Sequence, residues 1–256
     1  MEFIKKTRAS FNALGSFSIC VPLFLCSVLH AQNRCDVEAK LLLSPDEDQA
    51  AVKALNVNNE KAGFVYFFDT STLDLLSQGV IVRLRRGTKN DLTVKLRPSK
   101  EEKFSGLATV QETFKCEVDL NGEGANLAYS ISRKYIGEWL PQSGYDISLL
   151  LSPGQKKLLV DAKASIDWSR VARMVEIRVT AWRSKTQPQF NKLTLELWEW
   201  PGGRILELST KAGPDGGPMK YTTLRDLANS KNVSMSRDQR SKTRTFLEST
   251  TQQPAR

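Results

Sequence analysis

Charged and apolar residues alternate with a period of two in segment after segment of this chain. Asp36, Glu38 and Lys40 share one parity, with Cys35, Val37 and Ala39 on the other. Arg83 and Arg85 oppose Val82 and Leu84, and Thr93 and Lys95 oppose Leu92, Val94 and Leu96. Lys115, Glu117 and Asp119 oppose Cys116, Val118 and Leu120. A period of two belongs to a β-strand, whose successive side chains point to opposite faces. A solvated sheet face with scattered ion pairs accounts for any one such strand. The recurrence is also what a barrel requires if its lumen is polar and its outer apolar face is covered by helices.

The segments between the strands carry helix and turn signals. Ser44-Pro45-Asp46-Glu47 predicts a helix start with Ser44 as cap, running to about Leu55. Phe64–Asp69 predicts a strand, and Ser71 with Asp74 and Gly79 predicts a short capped helix. Val80–Arg86 and Leu92–Arg97 predict a hairpin across a Gly87–Asn90 turn, and Ala108–Leu120 another strand. Residues 121–165 are expected to be a helical insert, with Ser152-Pro153 opening its last segment. Val175–Trp182, Leu193–Trp200 and Arg204–Leu208 predict three more strands, the last two joined at Pro201-Gly202-Gly203. A helix is expected from Tyr221 to Ala228, and a disordered tail over 251–256. The fold class expected is α+β, with no internal repeat.

The chain has a single histidine, His30, and four cysteines. Residues 1–31 have the plan of a secretory leader: Lys5, Lys6 and Arg8, then an apolar run from Phe17 to Leu29, then Ala31. An uncleaved N-terminal anchor is the alternative. With the leader removed, no imidazole remains, which excludes Ser-His-Asp and Cys-His centres and His-ligated zinc. Cys35 and Cys116 remain, and their strand parities permit either a disulfide or two buried thiols. Acid–base or metal chemistry must then fall to carboxylates and Lys/Arg. Cations beside carboxylates suit phosphate oxygens and a hard divalent metal, respectively. The net charge of +9 also fits a nucleic-acid binder. The basic residues alternate with acids, however, and lack a stacking aromatic surface. Trp182, Trp198 and Trp200 are expected to pack in the core.

Taken in order, these segments resemble the CYTH family, the triphosphate tunnel metalloenzymes. Asp36-x-Glu38-x-Lys40 is similar to the family's opening Glu-x-Glu-x-Lys. Tyr66-Phe-Phe-Asp-Thr70, Leu73 to Leu76 and Gly79 resemble its Tyr-Phe-Asp-Thr…Leu…Gly segment. Arg83-x-Arg85, Thr93-x-Lys95 and Lys115-x-Glu117-x-Asp119 follow in the family's order. Glu207 resembles the late glutamate strand, and Ser241-Lys242-Thr243 a terminal Ser-Lys-Thr, so the resemblance spans about residues 34–250.

The resemblance implies one tunnel domain over 32–250, an eight-stranded antiparallel β-barrel with flanking helices. It implies a phosphohydrolase acting on a triphosphate- or polyphosphate-containing small molecule with Mg²⁺ or Mn²⁺. Carried over by position, Lys40, Arg83, Arg85, Lys95, Lys115 and Lys242 would hold phosphate oxygens. Asp36, Glu38, Glu117, Glu196 and Glu207 would hold metal, with Glu38, Glu117 and Lys40 catalytic. Either Arg178 or Arg183 would add a cation. Three positions depart from the pattern: Asp36 is shorter than Glu, Lys115 lacks the fork of Arg, and Ser209 stands where a second late glutamate is expected. The alternative is a non-catalytic, exported polyanion-binding module with no specific nucleic-acid partner and no membrane contact after leader removal. An exported location, periplasmic or secreted, is expected in either case.

Overall fold

The alternating strands pair edge to edge until they close a ring. The computed structural model describes residues 35–99, 104, 109–136, 140–142, 144–184, 189–190 and 192–251. The expected leader and residues 252–256 of the expected tail lie outside the described residues. Among the described residues ten strands are formed: β1 Asp36–Leu43, β2 Lys61–Asp69, β3 Val80–Arg86, β4 Asp91–Leu96, β5 Glu112–Asn121, β6 Gly124–Lys134, β7 Ala172–Arg173, β8 Ile177–Ser184, β9 Leu193–Trp200 and β10 Gly203–Ala212. The order β3-β4-β6-β5-β1-β10-β9-β8-β2 is closed by pairing of β2 with β3, and β7 adds to β2 outside the ring.

The barrel among the described residues therefore has nine strands, not the eight expected, and it is mixed rather than antiparallel. The two corrections are linked. Around a ring, strand direction can alternate without a break only if the strand count is even. Nine strands force a parallel neighbour pair, and it falls between β1 and β5, with Asp36 opposite Glu117 and Glu38 opposite Asp119. Parallel pairing is slightly weaker per residue. A disulfide between Cys35 and Cys116 spans this seam, with Cα atoms 4.8 Å apart. The bridge, rather than two free thiols, is the outcome of the open cysteine pairing.

The ninth strand is β6, which occupies residues expected to be helical. Its outer face is apolar, with Leu127, Tyr129 and Ile131, while the central residues of its inner face are Ala128, Ser130 and Ser132. Small, uncharged inward residues hide the charge alternation that marks the other strands. The remainder of 135–165 contains a 3₁₀ turn at Ile147–Leu150 and helix α3, defined below.

Five helices cover or close the barrel: α1 Asp48–Ala54, α2 Asp74–Ser77, α3 Pro153–Asp161, α4 Gly217–Ser230 and α5 Lys242–Thr251. α3 opens at the helix start expected at Ser152-Pro153, and Ser152 and Gln155 there form a capping box. Gln155 then donates to the carbonyls of Leu92 and Ile131, tying α3 to the outer faces of β4 and β6. α1 and α4 cover the outer faces of β1, β9 and β10, with Ala51, Leu224 and Leu227 packed on Leu41, Leu195 and Leu206. Ser44 makes no cap bond, and a 3₁₀ turn at Pro45–Glu47 precedes α1. The N–H groups at the start of α2 are met by buried Asp69, which accepts from Leu75 and Leu76, rather than by Ser71. Gly79 has φ +72°, and a Cβ there would meet the Arg97 carbonyl at 2.2 Å, so glycine is required.

One end of the lumen is filled by apolar residues. Leu42, Phe67, Ile81, Val179 and Ile205 meet Trp198, Phe246 and Leu247 in a single cluster. Phe246 packs between Phe67 and Trp200, with ring centroids 5.5 and 5.2 Å away. α5 is thereby seated across the barrel end. Among the described residues no helix is long and apolar enough to cross a membrane.

Candidate functional site

Strand parity sends the charged face of each segment into the lumen above the apolar floor. The cavity there measures about 180 Å³, small beside the roughly 300–1,000 Å³ usual for drug-sized ligands. Glu38, Lys40, Arg83, Arg85, Lys95, Lys115, Glu117, Glu196, Glu207 and Lys242 all line it. Asp36 has the same parity but is exposed at the strand's outer end and is not among the lining residues. Of the two arginine alternatives, Arg183 lines the cavity, whereas Arg178 is exposed. Trp182 and Trp198 are buried in apolar clusters, as expected of core residues.

Sequence reasoning missed the residue that organises the lower wall. Asp119 is 1% exposed and accepts from Lys40 and Lys95, each at 2.7 Å, and from Arg97 at 3.1 Å. Its signal was its parity with Glu117. Lys211, two steps in phase beyond Glu207, and Lys89 and Lys192 were also missed; all three line the cavity.

The lumen's charge is unbalanced. Among the described residues, ten cationic side chains line the cavity against four carboxylates. All four carboxylates are engaged. Lys211 pairs with Glu117 and lies 3.8 Å from Glu38. Lys242 lies 2.8 Å from both Glu196 and Glu207. Among the cations, Arg83, Lys89, Lys115, Arg183 and Lys192 form no ion pair with a described residue. The buried Nε atoms of Arg83 and Arg183 have no hydrogen-bond partner among the described residues.

Proton affinities follow this imbalance. Burial, aided by Arg85, pushes Arg83 down to about 10. Burial also lowers Lys89 to about 8, again with Arg85 adding repulsion. Burial lowers Lys95 to about 8; Lys40 and Arg97 repel its charge, and Asp119 only partly compensates. Lys40 moves the other way: burial opposes its charge, but Asp119, Glu38 and Glu207 outweigh burial. Burial would raise Glu38 and Glu196, but the ammonium groups beside them hold both at about 2.

The divalent ion implied by the resemblance was tested against this donor set. The carboxylates stand as two pairs, each already holding a lysine ammonium. Asp36 lies beyond the cavity, and Ser209 supplies a hydroxyl in place of a carboxylate. Among the described residues no three His, Cys, Asp or Glu side chains are grouped to hold a metal. The residues present do not fit a divalent metal. They fit an anion, because Arg and Lys supply forked and point-charge contacts to phosphate oxygens.

No family model matches the chain, and no curated protein matches it. Solved structures do. A Hippeastrum protein named as an adenylyl cyclase candidate, and described as having a dominant triphosphatase activity, shares 20% identity at a TM-score of 0.56. The match covers 82% of this chain and 94% of that one. A candidate adenylate cyclase from Bacillus halodurans shares 14% identity at a TM-score of 0.55, over 83% of this chain and 97% of that one. The chain shares the closed-barrel fold of these proteins, in line with its resemblance to the CYTH family apart from the strand count and direction given above.

Proposed function

We propose that this chain is a CYTH-like protein that binds a triphosphate or short polyphosphate in its barrel lumen. One observation carries the reading: among the described residues, five lumen cations lack a carboxylate partner while every lumen carboxylate has a cation. Repulsion among these unpaired cations, with Arg83 and Arg183 half-buried and Lys89, Lys115 and Lys192 exposed, is relieved by a compact polyanion, and the low-dielectric walls strengthen the attraction to the inner ones. Arg83 and Arg85 supply the forked contacts, and Lys40, Lys95, Lys115 and Lys242 the point charges. The leader read over residues 1–31 and the Cys35–Cys116 bridge support an exported, oxidising setting.

The second reading is metal-dependent hydrolysis, with Glu38, Glu117 and Lys40 acting on the bound phosphates and Mg²⁺ or Mn²⁺ as cofactor. The activity described for the Hippeastrum protein favours it. The engagement of all four lumen carboxylates by lysines weighs against it.

The deciding experiment follows tripolyphosphate binding by calorimetry and phosphate release from tripolyphosphate and nucleoside triphosphates with Mg²⁺, Mn²⁺ or EDTA. Binding without release is expected, together with loss of binding in Arg83→Ala/Arg85→Ala. Unchanged affinity in that double variant would overturn the lumen as the site. Metal-dependent release that disappears in Glu38→Gln would establish the hydrolase instead.

A further inference from the structure

We propose that Lys211 and Lys242 act as built-in cations for the two carboxylate pairs of the lumen, so that the anion is bound without a divalent metal. The proposal rests on the anion-binding reading above and concerns how that site is balanced. Glu38 and Glu117 project from the two strands of the parallel seam, and the Lys211 ammonium reaches both. Glu196 and Glu207 are direct partners across β9 and β10, and Lys242 stands 2.8 Å from each.

Lys242 is more than a passing neighbour. It enters from the first residue of α5, whose Phe246 and Leu247 are buried in the lumen floor. Its Nζ lies 4.6 Å from the centre of the Trp198 ring, and the Trp198 indole N–H donates to Glu196 at 2.5 Å. Two carboxylates, one indole face and an anchored helix hold this ammonium in place.

A hard dication asks for about six oxygen ligands. Each pair here offers two carboxylates whose oxygens already accept from ammonium or indole donors. Ser209, on the same inner face between Glu207 and Lys211, adds no charge. A metal would have to displace an ammonium and leave it buried beside a divalent charge. It would also enter a lumen lined by ten cations. All of these effects act in one direction.

The test has two arms on the purified chain. In the first, Mn²⁺ is titrated without any anion and bound ion is read by electron paramagnetic resonance. No specific binding is expected. Lys211→Gln/Lys242→Gln, which removes the ammonium beside Glu117, Glu196 and Glu207 while Lys40 stays 3.1 Å from Glu38, should gain a bound-Mn²⁺ signal that Glu196→Gln then weakens. Mn²⁺ bound by the unaltered chain, and lost on Glu117→Gln or Glu196→Gln, would overturn the proposal even if the lysine variant fails to fold. In the second arm, tripolyphosphate is titrated calorimetrically in EDTA. Binding in EDTA supports the proposal, and binding that appears only when Mg²⁺ is restored overturns it. Absence of tripolyphosphate binding under both conditions would instead sink the anion-binding reading, and the Mn²⁺ arm would still judge the two lysines.

Discussion

Asp119 is a single buried charge that serves three cations, and only Lys40 among them has a second carboxylate, Glu38 at 3.1 Å. Asp119→Asn leaves Lys40, Lys95 and Arg97 facing one another without their shared anion. Breaking a buried pair in this way costs about 3–5 kcal/mol, which for a chain of this size lowers Tm by roughly 10 °C. Tripolyphosphate should restore more of the melting temperature in the variant than it adds to the unaltered chain, because the variant's lumen carries one more uncompensated cation. Thermal melts with and without the anion check this, and equal increments would argue that the anion binds elsewhere. At this scale much of the site was legible in advance. Parity alone selected Glu38, Lys40, Arg83, Arg85, Lys95, Lys115 and Glu117, and all line the cavity. Parity could not choose between Arg178 and Arg183 without knowing which face of β8 turns inward. Nor could it show that Asp36 lies beyond the cavity, because depth along a strand depends on the shear of the whole barrel.

Among the elements, the seam between β1 and β5 is the place where the ring is least secure. Its register spans only the four pairs from Asp36–Glu117 to Ala39–Leu120, against ten between β5 and β6. The Cys35–Cys116 bridge closes a separation of 81 residues across it. Cys35→Ser should cost about 2–5 kcal/mol. Hydrogen exchange should show the loss first in β1 and β5, while β8 and β9 remain protected. Uniform loss of protection across all strands would argue that the bridge restrains only the unfolded chain. The seam itself was not legible, because pairing between segments far apart in sequence leaves no local signal. β6 was missed for a different reason. Its inward Ala128, Ser130 and Ser132 are small and neutral, so the residues that make room in the lumen are those that weaken the pattern by which the lumen was recognised. The helix start at Ser152-Pro153 and the Pro201–Gly202 turn were legible because both are settled by neighbours in sequence.

The whole molecule holds its charge in two opposing groups, and each sets a pH limit. Glu38 and Glu196 lie at about 2, below their ordinary 4.5, so the folded state keeps them ionised. They contribute stability that is present above about pH 4.5 and is lost as pH falls toward 2. A melting temperature that drops steeply over that interval is expected, and one that stays flat from pH 5 to 2.5 would show that the lumen ion pairs add nothing to folding. On the alkaline side the affected quantity is affinity. Lys89 and Lys95 lie at about 8, below their ordinary 10.5, because burial disfavours their charge. Both are charged at pH 6 and largely neutral at pH 9.5, while Lys40, Lys211 and Lys242, raised by their carboxylates, remain charged. Tripolyphosphate affinity should therefore be level up to about pH 7 and fall between pH 7.5 and 9.5, by up to about tenfold per pH unit for each lysine. Binding near pH 8 should also take up protons, seen calorimetrically as heats that vary with the ionisation enthalpy of the buffer. Lys89→Arg and Lys95→Arg keep the charge to higher pH and should flatten the fall. An affinity unchanged to pH 9.5 in the unaltered chain would mean that neither lysine faces the bound anion.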